Sequence, residues 1–286
     1  MFWHRWRRRD PEQRLAAALS RCRGQIGKGL QRQLCRMDAL ALARLLAGTW
    51  PHLGEATRRQ LCTLVEEEGF VDAWVRLLAE GKAAAKAQVA ATLGVMGINR
   101  SLSQLLAALG DRDEGVQLAA TAALVRLRDR RCLEPLLTAL AEPRRWPPAR
   151  VAEVLLALGP ASIPPLLGLL AGGPEDVALR AINILGLFKD DRVIPALEHA
   201  LQAGTVAIRR EAALALGEMG HSAAAALIAA LADPEAEVRA AAARALGRLQ
   251  CRAAGESLQV CLADSSWEVR VAAGAALAAI AATGEN

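Results

Sequence analysis

Four histidines and six cysteines are the side chains of this 286-residue chain best suited to hold a metal ion. A metal site needs several nitrogen, oxygen or sulfur ligands that converge. Only one histidine has a carboxylate beside it, in the stretch LEHA, and no histidine is followed by glutamate. The histidines lie far apart, at His4, His52, His199 and His221. The sequence therefore predicts no metal centre and no cofactor.

The cysteines are scattered and form no C-x-x-C pair, which argues against a redox motif and a zinc ribbon. In a mid-sized chain this pattern is typical of reduced, mostly buried thiols in a cytosolic protein. They are Cys22, Cys35, Cys62, Cys132, Cys251 and Cys261.

The charge distribution argues against a nucleic-acid groove. Residues 1–36 carry nine arginines and one lysine against two acids, so the net charge of +5 belongs to the N-terminus. The rest of the chain is close to neutral. A groove that follows a phosphate backbone needs a general excess of Lys and Arg on one surface. We therefore expect that nucleic acid is not the partner.

One local basic cluster remains, in the stretch EPRRWPPAR, where Arg144, Arg145 and Trp146 form what we call the basic loop. Arginines beside an aromatic ring could contact phosphate or an acidic protein. The alternative is an ordinary solvated loop whose tryptophan packs on its own hairpin, because loops are generally polar.

The N-terminal tail, MFWHRWRRR, could contact a membrane surface. Trp3 and Trp6 suit the depth of lipid headgroups, and Arg7, Arg8 and Arg9 suit anionic lipid. The alternative is a loose basic terminus. The tail lacks the apolar segment of a secretory signal, and no apolar run approaches the roughly 18 residues expected of a membrane span.

The rest of the chain reads as all-α and repetitive. Apolar residues make up 53% of the chain, mostly Ala and Leu, and tyrosine is absent. The phrase VRAAAARALG recurs at spacings of 27 to 34 residues. Its first residue, the anchor, falls at Ala56, Ala85, Val116, Arg150, Val177, Ile208, Val238 and Val269. A period near 30 residues predicts a solenoid, because one unit cannot cover its own apolar stripe.

A second phrase lies between the anchors, as in CLEPLLTAL, SIPPLLGLL and VIPALEHAL. Its prolines, Pro135, Pro165 and Pro195, are 30 residues apart. Proline is tolerated in the first turn of a helix, so these prolines mark the starts of a second kind of helix. Each repeat is then a helical hairpin, and the chain is an α-solenoid of about eight hairpins.

This wording and spacing resemble the HEAT-repeat proteins, in particular the short HEAT-like repeats first described in phycobilisome lyases. The resemblance covers approximately residues 56–280. It implies an all-α superhelical solenoid whose second helices line a concave surface. We expect a basic aromatic tail over 1–11, capping helices over 12–55 and the repeat solenoid over 56–286.

The family includes scaffolds, chromophore lyases, a hydroxylase and DNA glycosylases, so the resemblance alone does not give a function. The hydroxylase carries His–Glu pairs on facing helices, which this sequence lacks. No residue favours lyase activity independently. A DNA-binding enzyme of the glycosylase type stays open as the alternative to a non-catalytic scaffold, with the basic loop as its support.

Each fixed position of the repeat has a structural explanation. Offsets 0, 4, 5 and 8 from the anchor share one helical face and form the core stripe. Offset 9 is a glycine in five repeats, which predicts that a neighbouring helix passes close. The arginine at offset 1, as in Arg239, is expected to pair with an aspartate of the preceding turn, such as Asp233.

The positions left free to vary are offsets 2, 3, 6 and 10 of the second helices. They mix leucines with charges, as a protein-binding surface does; alternatively, the leucines partly bury against adjacent repeats. The predicted partner-binding residues are Leu118, Arg126, Leu156, Leu179, Arg180, Asn183, Leu187, Arg210, Glu211, Leu214, Arg244 and Arg248.

The last repeat carries only apolar residues at these offsets: Val271, Ala272, Ala275 and Ala279. Terminal repeats generally need a polar cap, so this end predicts self-association, a partner or a further element. We expect a non-catalytic protein-interaction scaffold in the cytoplasm of a bacterium-like cell, docked at the inner face of the membrane if the tail binds lipid.

Overall fold

The computed structural model describes residues 11–22 and 24–282, and throughout this part of the chain the regular secondary structure is helical. The chain divides into two compact units, with the boundary between Leu158 and Gly159. The predicted N-terminal tail lies outside the described residues. The predicted limits of tail, cap and solenoid stay predictions.

The first unit begins with three helices and an inserted fourth, followed by three hairpins. Its helices are α1 (Pro11–Arg21), α2 (Lys28–Leu34), α3 (Ala39–Thr49), α4 (Glu55–Glu67), α5 (Phe70–Glu80), α6 (Ala83–Met96), α7 (Leu102–Ala108), α8 (Glu114–Leu127), α9 (Leu133–Ala139) and α10 (Pro148–Leu158).

The second unit consists of four hairpins. Its helices are α11 (Ile163–Gly172), α12 (Glu175–Phe188), α13 (Ile194–Ala203), α14 (Val206–Leu216), α15 (Ala224–Ala230), α16 (Ala236–Arg248), α17 (Gly255–Cys261) and α18 (Trp267–Ala282).

In each hairpin the odd-numbered helix from α5 onward is the first helix, and the even-numbered helix is the second. Second helices stack on one another within each unit: α6 on α8 and α8 on α10 in the first, and α12 through α18 in the second. The prolines confirm the predicted helix starts, since Pro135, Pro165 and Pro195 all lie in the first turns of α9, α11 and α13. Each unit is therefore an α-solenoid, as the repeat predicted.

The predicted core stripe is buried in most repeats. In α16, for example, Val238, Ala242, Ala243 and Leu246 are fully buried. Two anchors are wrong. Ala56 is exposed, because α4 packs on α5 while α3 takes the place of a second helix against α6. In α10 the buried residue is Val151, while the neighbouring Arg150 forms ion pairs at the surface.

Four of the five repeat glycines lie where a neighbouring helix passes close, as predicted. A Cβ at Gly94 would lie 2.4 Å from Ala123 Cα, and one at Gly247 would lie 2.8 Å from Ala276 Cα. Gly186 and Gly217 face α14 and α16 in the same way. Gly159 differs, since nothing approaches its Cβ position and its φ of 76° is left-handed. It ends a helix rather than admitting a neighbour.

Charged pairs tie three of the repeats to the repeat that follows, forming what we call the ion-pair ladder. Arg239 donates from Nε and Nη2 to the carboxylate of Asp264, both at 2.8 Å. Arg209 holds Asp233 in the same way, at 2.9 Å, and in the first unit Lys86 Nζ lies 2.8 Å from the Asp111 carboxylate.

The predicted direction of the tie at Arg239 is wrong. Arg239 binds the carboxylate of Asp264 in the following turn. In the preceding turn its Nη1 donates to the backbone carbonyl of Asp233, at 2.8 Å, and not to the carboxylate of Asp233. The ladder therefore fixes the register between successive hairpins, with side chains that are almost buried.

We expect Asp264→Asn to remove a rung and lower the free energy of unfolding at neutral pH by about 1–3 kcal/mol, the range for hydrogen bonds to charged groups. The hydrogen bonds from Arg239 lower the pKa of Asp264 to about 2, against about 3.9 in an unfolded chain. The wild-type contribution is therefore present above about pH 4 and lost as the pH falls through about 2.

Urea unfolding of both proteins between pH 7 and pH 2 measures this effect. The two stabilities should converge in acid, because the wild-type carboxylate then becomes protonated. Asp176→Asn, which breaks an exposed pair with Arg180 within one helix, is the matched control and should change stability little. A constant difference between wild type and Asp264→Asn across this pH range would contradict the assignment.

One segment, Pro148–Gly172, reaches the length and hydropathy of a membrane span by composition. The expectation that no apolar run approaches this length is therefore wrong. The segment is not one helix, however. α10 ends at Leu158, Gly159 has a left-handed φ, and a 3-10 turn precedes α11.

Candidate protein-interaction surface

The outward residues of the second helices are the candidate interaction surface in each unit. In the first unit Leu118 is 45% exposed, Arg126 is exposed and Leu156 is half-buried. Stacking of the second helices fixes these positions, because the buried stripe of each helix determines which side chains face outward.

In the second unit the same surface covers α12, α14 and α16. On α12, Leu187 is 52% exposed and Asn183 is exposed, while Leu179 is half-buried. On α14, Leu214 is half-buried as well. The two interpretations of the leucines therefore both apply: Leu187 is available for contact, whereas Leu179 and Leu214 are partly covered.

Two salt bridges cross this surface in opposite directions between α14 and α16. Arg210 Nη1 lies 3.1 Å from Glu237 Oε2, and Arg248 on α16 pairs with Glu218, which follows the end of α14. Arg210 also lies 3.8 Å from Glu211. These arginines are already neutralised, so they are poorer candidates for a partner's carboxylate than the sequence predicted.

Arg244 differs from its neighbours on α16. It is exposed, and within residues 11–22 and 24–282 no carboxylate lies within ion-pairing distance of it. Arg180, by contrast, pairs with Asp176 on its own helix at 2.8 Å. In the second unit, Arg244 is therefore the arginine of this surface that a partner's carboxylate could pair with most readily.

The basic loop is held down locally. The guanidinium group of Arg145 lies over the ring of Trp146, 5.2 Å from its centroid, and 3.7 Å from the carboxylate of Glu142. The backbone carbonyl of Glu142 accepts hydrogen bonds from the backbone amides of Arg145 and Trp146. The carbonyl oxygen of Arg145 also packs against Gly110, where it would lie 2.8 Å from an added Cβ. Arg144 is exposed. This arrangement favours the packed loop over a nucleic-acid contact.

The ion-pair ladder is interrupted at α12, and a cavity lies there. Ala178 stands at the repeat position that Arg209 occupies in the next repeat. Ala203 likewise stands at the position that Asp233 occupies in the next repeat. Both line a cavity of about 440 Å³ whose walls are mostly apolar. His199 and Glu175 are its titratable lining residues, and Glu175 accepts a hydrogen bond from Thr205. Sequence reasoning missed this cavity, although two alanines at ladder positions mark it.

All six cysteines are free thiols; Cys132, Cys251 and Cys261 are buried, and the others are half-buried. Burial raises the pKa of Cys132 to about 11, and it also raises the pKa of Cys62. In the part of the chain that the structure describes, no three His, Cys, Asp or Glu side chains are grouped closely enough to hold a metal ion.

Comparison with protein families agrees with this architecture. The family model for HEAT repeats matches residues 163–232 and 224–285, and the model for the PBS lyase HEAT-like repeat matches residues 116–142. The chain is a HEAT-repeat protein. The matched segments include most of α8, all of α9 and α11 through α18, and the second helices among them carry most of the candidate surface.

Several solved structures resemble the HEAT-repeat chain. Human deoxyhypusine hydroxylase is 21% identical over 95% of this chain and 97% of its own, with a TM-score of 0.39. Kap95p, in a structure with RanGDP, is 16% identical over 98% of this chain and 46% of its own, with a TM-score of 0.49. An engineered protein is 21% identical over 74% and 96% of the two chains, with a TM-score of 0.37. No curated protein sequence matches the chain.

Proposed function

We propose that this HEAT-repeat protein is a non-catalytic scaffold that binds a protein partner on the second-helix surface of its second unit. The observation that supports this most directly is that this surface exposes both an apolar side chain and an arginine that no carboxylate of the described residues neutralises: Leu187 is 52% exposed on α12, and Arg244 is exposed on α16. An apolar anchor among charges is the usual composition of a protein–protein interface.

The charged residues at the fixed repeat positions support a structural rather than catalytic role. The guanidinium groups of Arg209 and Arg239 each form an ion pair with an aspartate of the next repeat. A catalytic acid or base needs access to a substrate, and these pairs are almost buried. At the surface, Arg210 and Arg248 are likewise held in salt bridges with Glu237 and Glu218, which supports a structural role for them as well.

Capture of proteins from the native cell by the immobilised full chain tests this proposal. We expect Leu187→Asp and Arg244→Glu each to reduce the retained partner by roughly tenfold or more, the effect of losing a central interface residue. Val260→Asp is the matched control, because Val260 is 76% exposed on the first helix α17, outside this surface. Equal retention by all three variants would contradict the assignment of the surface.

The same preparation distinguishes the alternative, a DNA-binding enzyme of the glycosylase type. Such a protein should bind DNA tightly at low salt and lose affinity steeply as salt rises. DNA binding of this kind that disappears in the variant Arg144→Ala/Arg145→Ala would replace the scaffold proposal.

Cytoplasmic location with docking at the membrane surface is a further part of the proposal, and the tail supports it. The tryptophans and arginines of MFWHRWRRR suit a layer of anionic headgroups. We expect deletion of residues 1–9 to reduce binding of the chain to liposomes that contain anionic lipid, measured by co-sedimentation. Binding unchanged by the deletion would rule out this anchor.

A further inference from the structure

The cavity between α11 and α13, which we call the α11–α13 cavity, lies where the ion-pair ladder is interrupted. In the next interface of the second unit, Arg209 on α14 binds the turn at Gly204 and pairs with Asp233. The corresponding residues at the cavity are Ala178 and Ala203, and both line it. Two short side chains therefore leave open the space that a long arginine and its carboxylate fill one repeat later.

The volumes at the two interfaces agree with this explanation. The α11–α13 cavity encloses about 440 Å³, whereas the corresponding groove between α13 and α15 encloses about 250 Å³. Equivalent residues line both, since Leu170 in the first corresponds to Leu201 in the second. The cavity opens to solvent at His199 and Ala203, which are exposed. A ligand can therefore enter it from outside.

The turn before α12 presents the backbone acceptor that holds a guanidinium group in the ladder. Arg209 Nη1 donates to the carbonyl of Gly204 at 3.1 Å. Gly173 is the equivalent residue and lines the cavity, and its φ and ψ of −80° and 167° match the −76° and 172° of Gly204. Among the described residues no donor lies within hydrogen-bonding distance of the Gly173 carbonyl oxygen. The acceptor of a rung is thus present without a donor.

Glu175 gives the cavity a negative charge. Its carboxylate lines the cavity and accepts a hydrogen bond from the Thr205 hydroxyl. In the part of the chain that the structure describes, no Lys, Arg or His lies within ion-pairing distance of Glu175. A carboxylate can accept about four hydrogen bonds, so Glu175 can still bind a cation. It supplies the charge that Asp233 supplies in the complete rung.

We propose that the α11–α13 cavity binds an arginine side chain from a segment of a partner protein. The guanidinium group pairs with Glu175 and donates to the carbonyl of Gly173. Its planar array of N–H donors suits two acceptors that belong to different groups, which the compact ammonium of lysine matches less well. The methylene stem packs on Leu170 and Ile208, which line the cavity.

Apolar side chains at the cavity favour an arginine within a polypeptide over a free guanidinium compound. Leu167 and Leu170 line the cavity and are half-buried. Apolar residues that flank the arginine in a peptide can cover them and add burial that a small cation cannot. The site lies between first helices and their turns, so it is separate from the second-helix surface of the proposed function.

Methyl NMR of the full chain tests and locates this binding. The probe is the peptide acetyl-Gly-Leu-Arg-Leu-Gly-amide, and the matched peptide carries citrulline, which has nearly the same shape without the charge. We expect the arginine peptide to shift the δ1-methyl signal of Ile208, which lines the cavity, and not that of Ile26 in the first unit. Citrulline should weaken binding by roughly tenfold or more, the factor that a hydrogen bond between charged groups supplies.

Two variants assign the binding to the cavity. Glu175→Gln should weaken the arginine peptide by a similar factor, whereas Glu256→Gln, an equal change of charge at an exposed position on α17, should bind as the wild type does. Ala178→Arg/Ala203→Asp restores the rung, so the chain's own guanidinium fills the cavity and the peptide no longer shifts Ile208. If this double variant does not fold, the comparison of Glu175→Gln with Glu256→Gln still decides.

Four results would overturn the proposal. No shift of Ile208 at millimolar peptide would show that the cavity does not bind the side chain. Equal affinities for the arginine and citrulline peptides would show that charge has no role. Undiminished binding by a folded Ala178→Arg/Ala203→Asp variant would place the peptide elsewhere. Agmatine, a free guanidinium compound, binding as tightly as the peptide would make the ligand a small cation rather than a segment of a protein.

Discussion

Leu216→Ala should lower the free energy of unfolding of the second unit by about 2–5 kcal/mol, the range for truncation of a buried leucine. Leu216 is fully buried on α14, which packs against α12 on one side and α16 on the other. Truncation therefore leaves a cavity that neither neighbouring helix can fill without breaking its own contacts.

Leu214→Ala is the matched control, because Leu214 lies two residues away on the same helix and is half-buried on the outward surface. Its truncation should cost well under half as much, since water already reaches the site and no closed cavity forms. Urea unfolding followed by far-ultraviolet circular dichroism measures both. Equal costs for the two variants would mean that the core stripe of α14 is misassigned.

The repeat phrase predicted the fold because burial fixes its positions. A stripe at offsets 0, 4, 5 and 8 can be covered only by a neighbouring helix, and the structure buries Val238 and Leu246 in this way. Helix starts were predictable for a similar reason, since a proline such as Pro195 is acceptable only in the first turn. Composition and period therefore sufficed for the architecture.

Sequence reasoning failed where tertiary contacts override the local pattern. Ala56 fits the phrase in spacing, yet its helix is an insertion and α3 takes its stacking role. At Arg239 both neighbouring turns offer an aspartate, so composition cannot choose between them; the three-dimensional stacking selects Asp264. In the last repeat Ala272 was predicted to face outward, but it is 4% exposed.

The candidate surface was predictable only in outline. The offsets left free by the repeat do face outward, but exposure alone does not identify which charges are available to a partner. Arg210 and Arg248 look equivalent to Arg244 in the sequence, and only the structure shows that carboxylates of neighbouring repeats neutralise the first two. Whether this surface binds the partner stays a prediction.

Gly94→Ala should destabilise the first unit by about 1–3 kcal/mol, the usual cost of overpacking, although alanine favours a helix over glycine by about 1 kcal/mol. The added Cβ would lie 2.4 Å from Ala123 Cα on α8. This neighbour is a backbone atom, so the overlap can be relieved only if α6 and α8 move apart and the stripe between them opens.

Gly168→Ala is the control with the opposite expected sign. Gly168 lies inside α11, and nothing approaches its Cβ position within 4 Å, so only the helix propensity acts and stability should rise by up to about 1 kcal/mol. At Gly186 the nearest atom is the Ala215 side chain at 3.0 Å, so Gly186→Ala should fall between the two. Thermal and urea unfolding of the three variants measures this order. If all three were stabilising, the recurring glycine would reflect something other than close helix approach, and the account of how successive hairpins stack would fail with it.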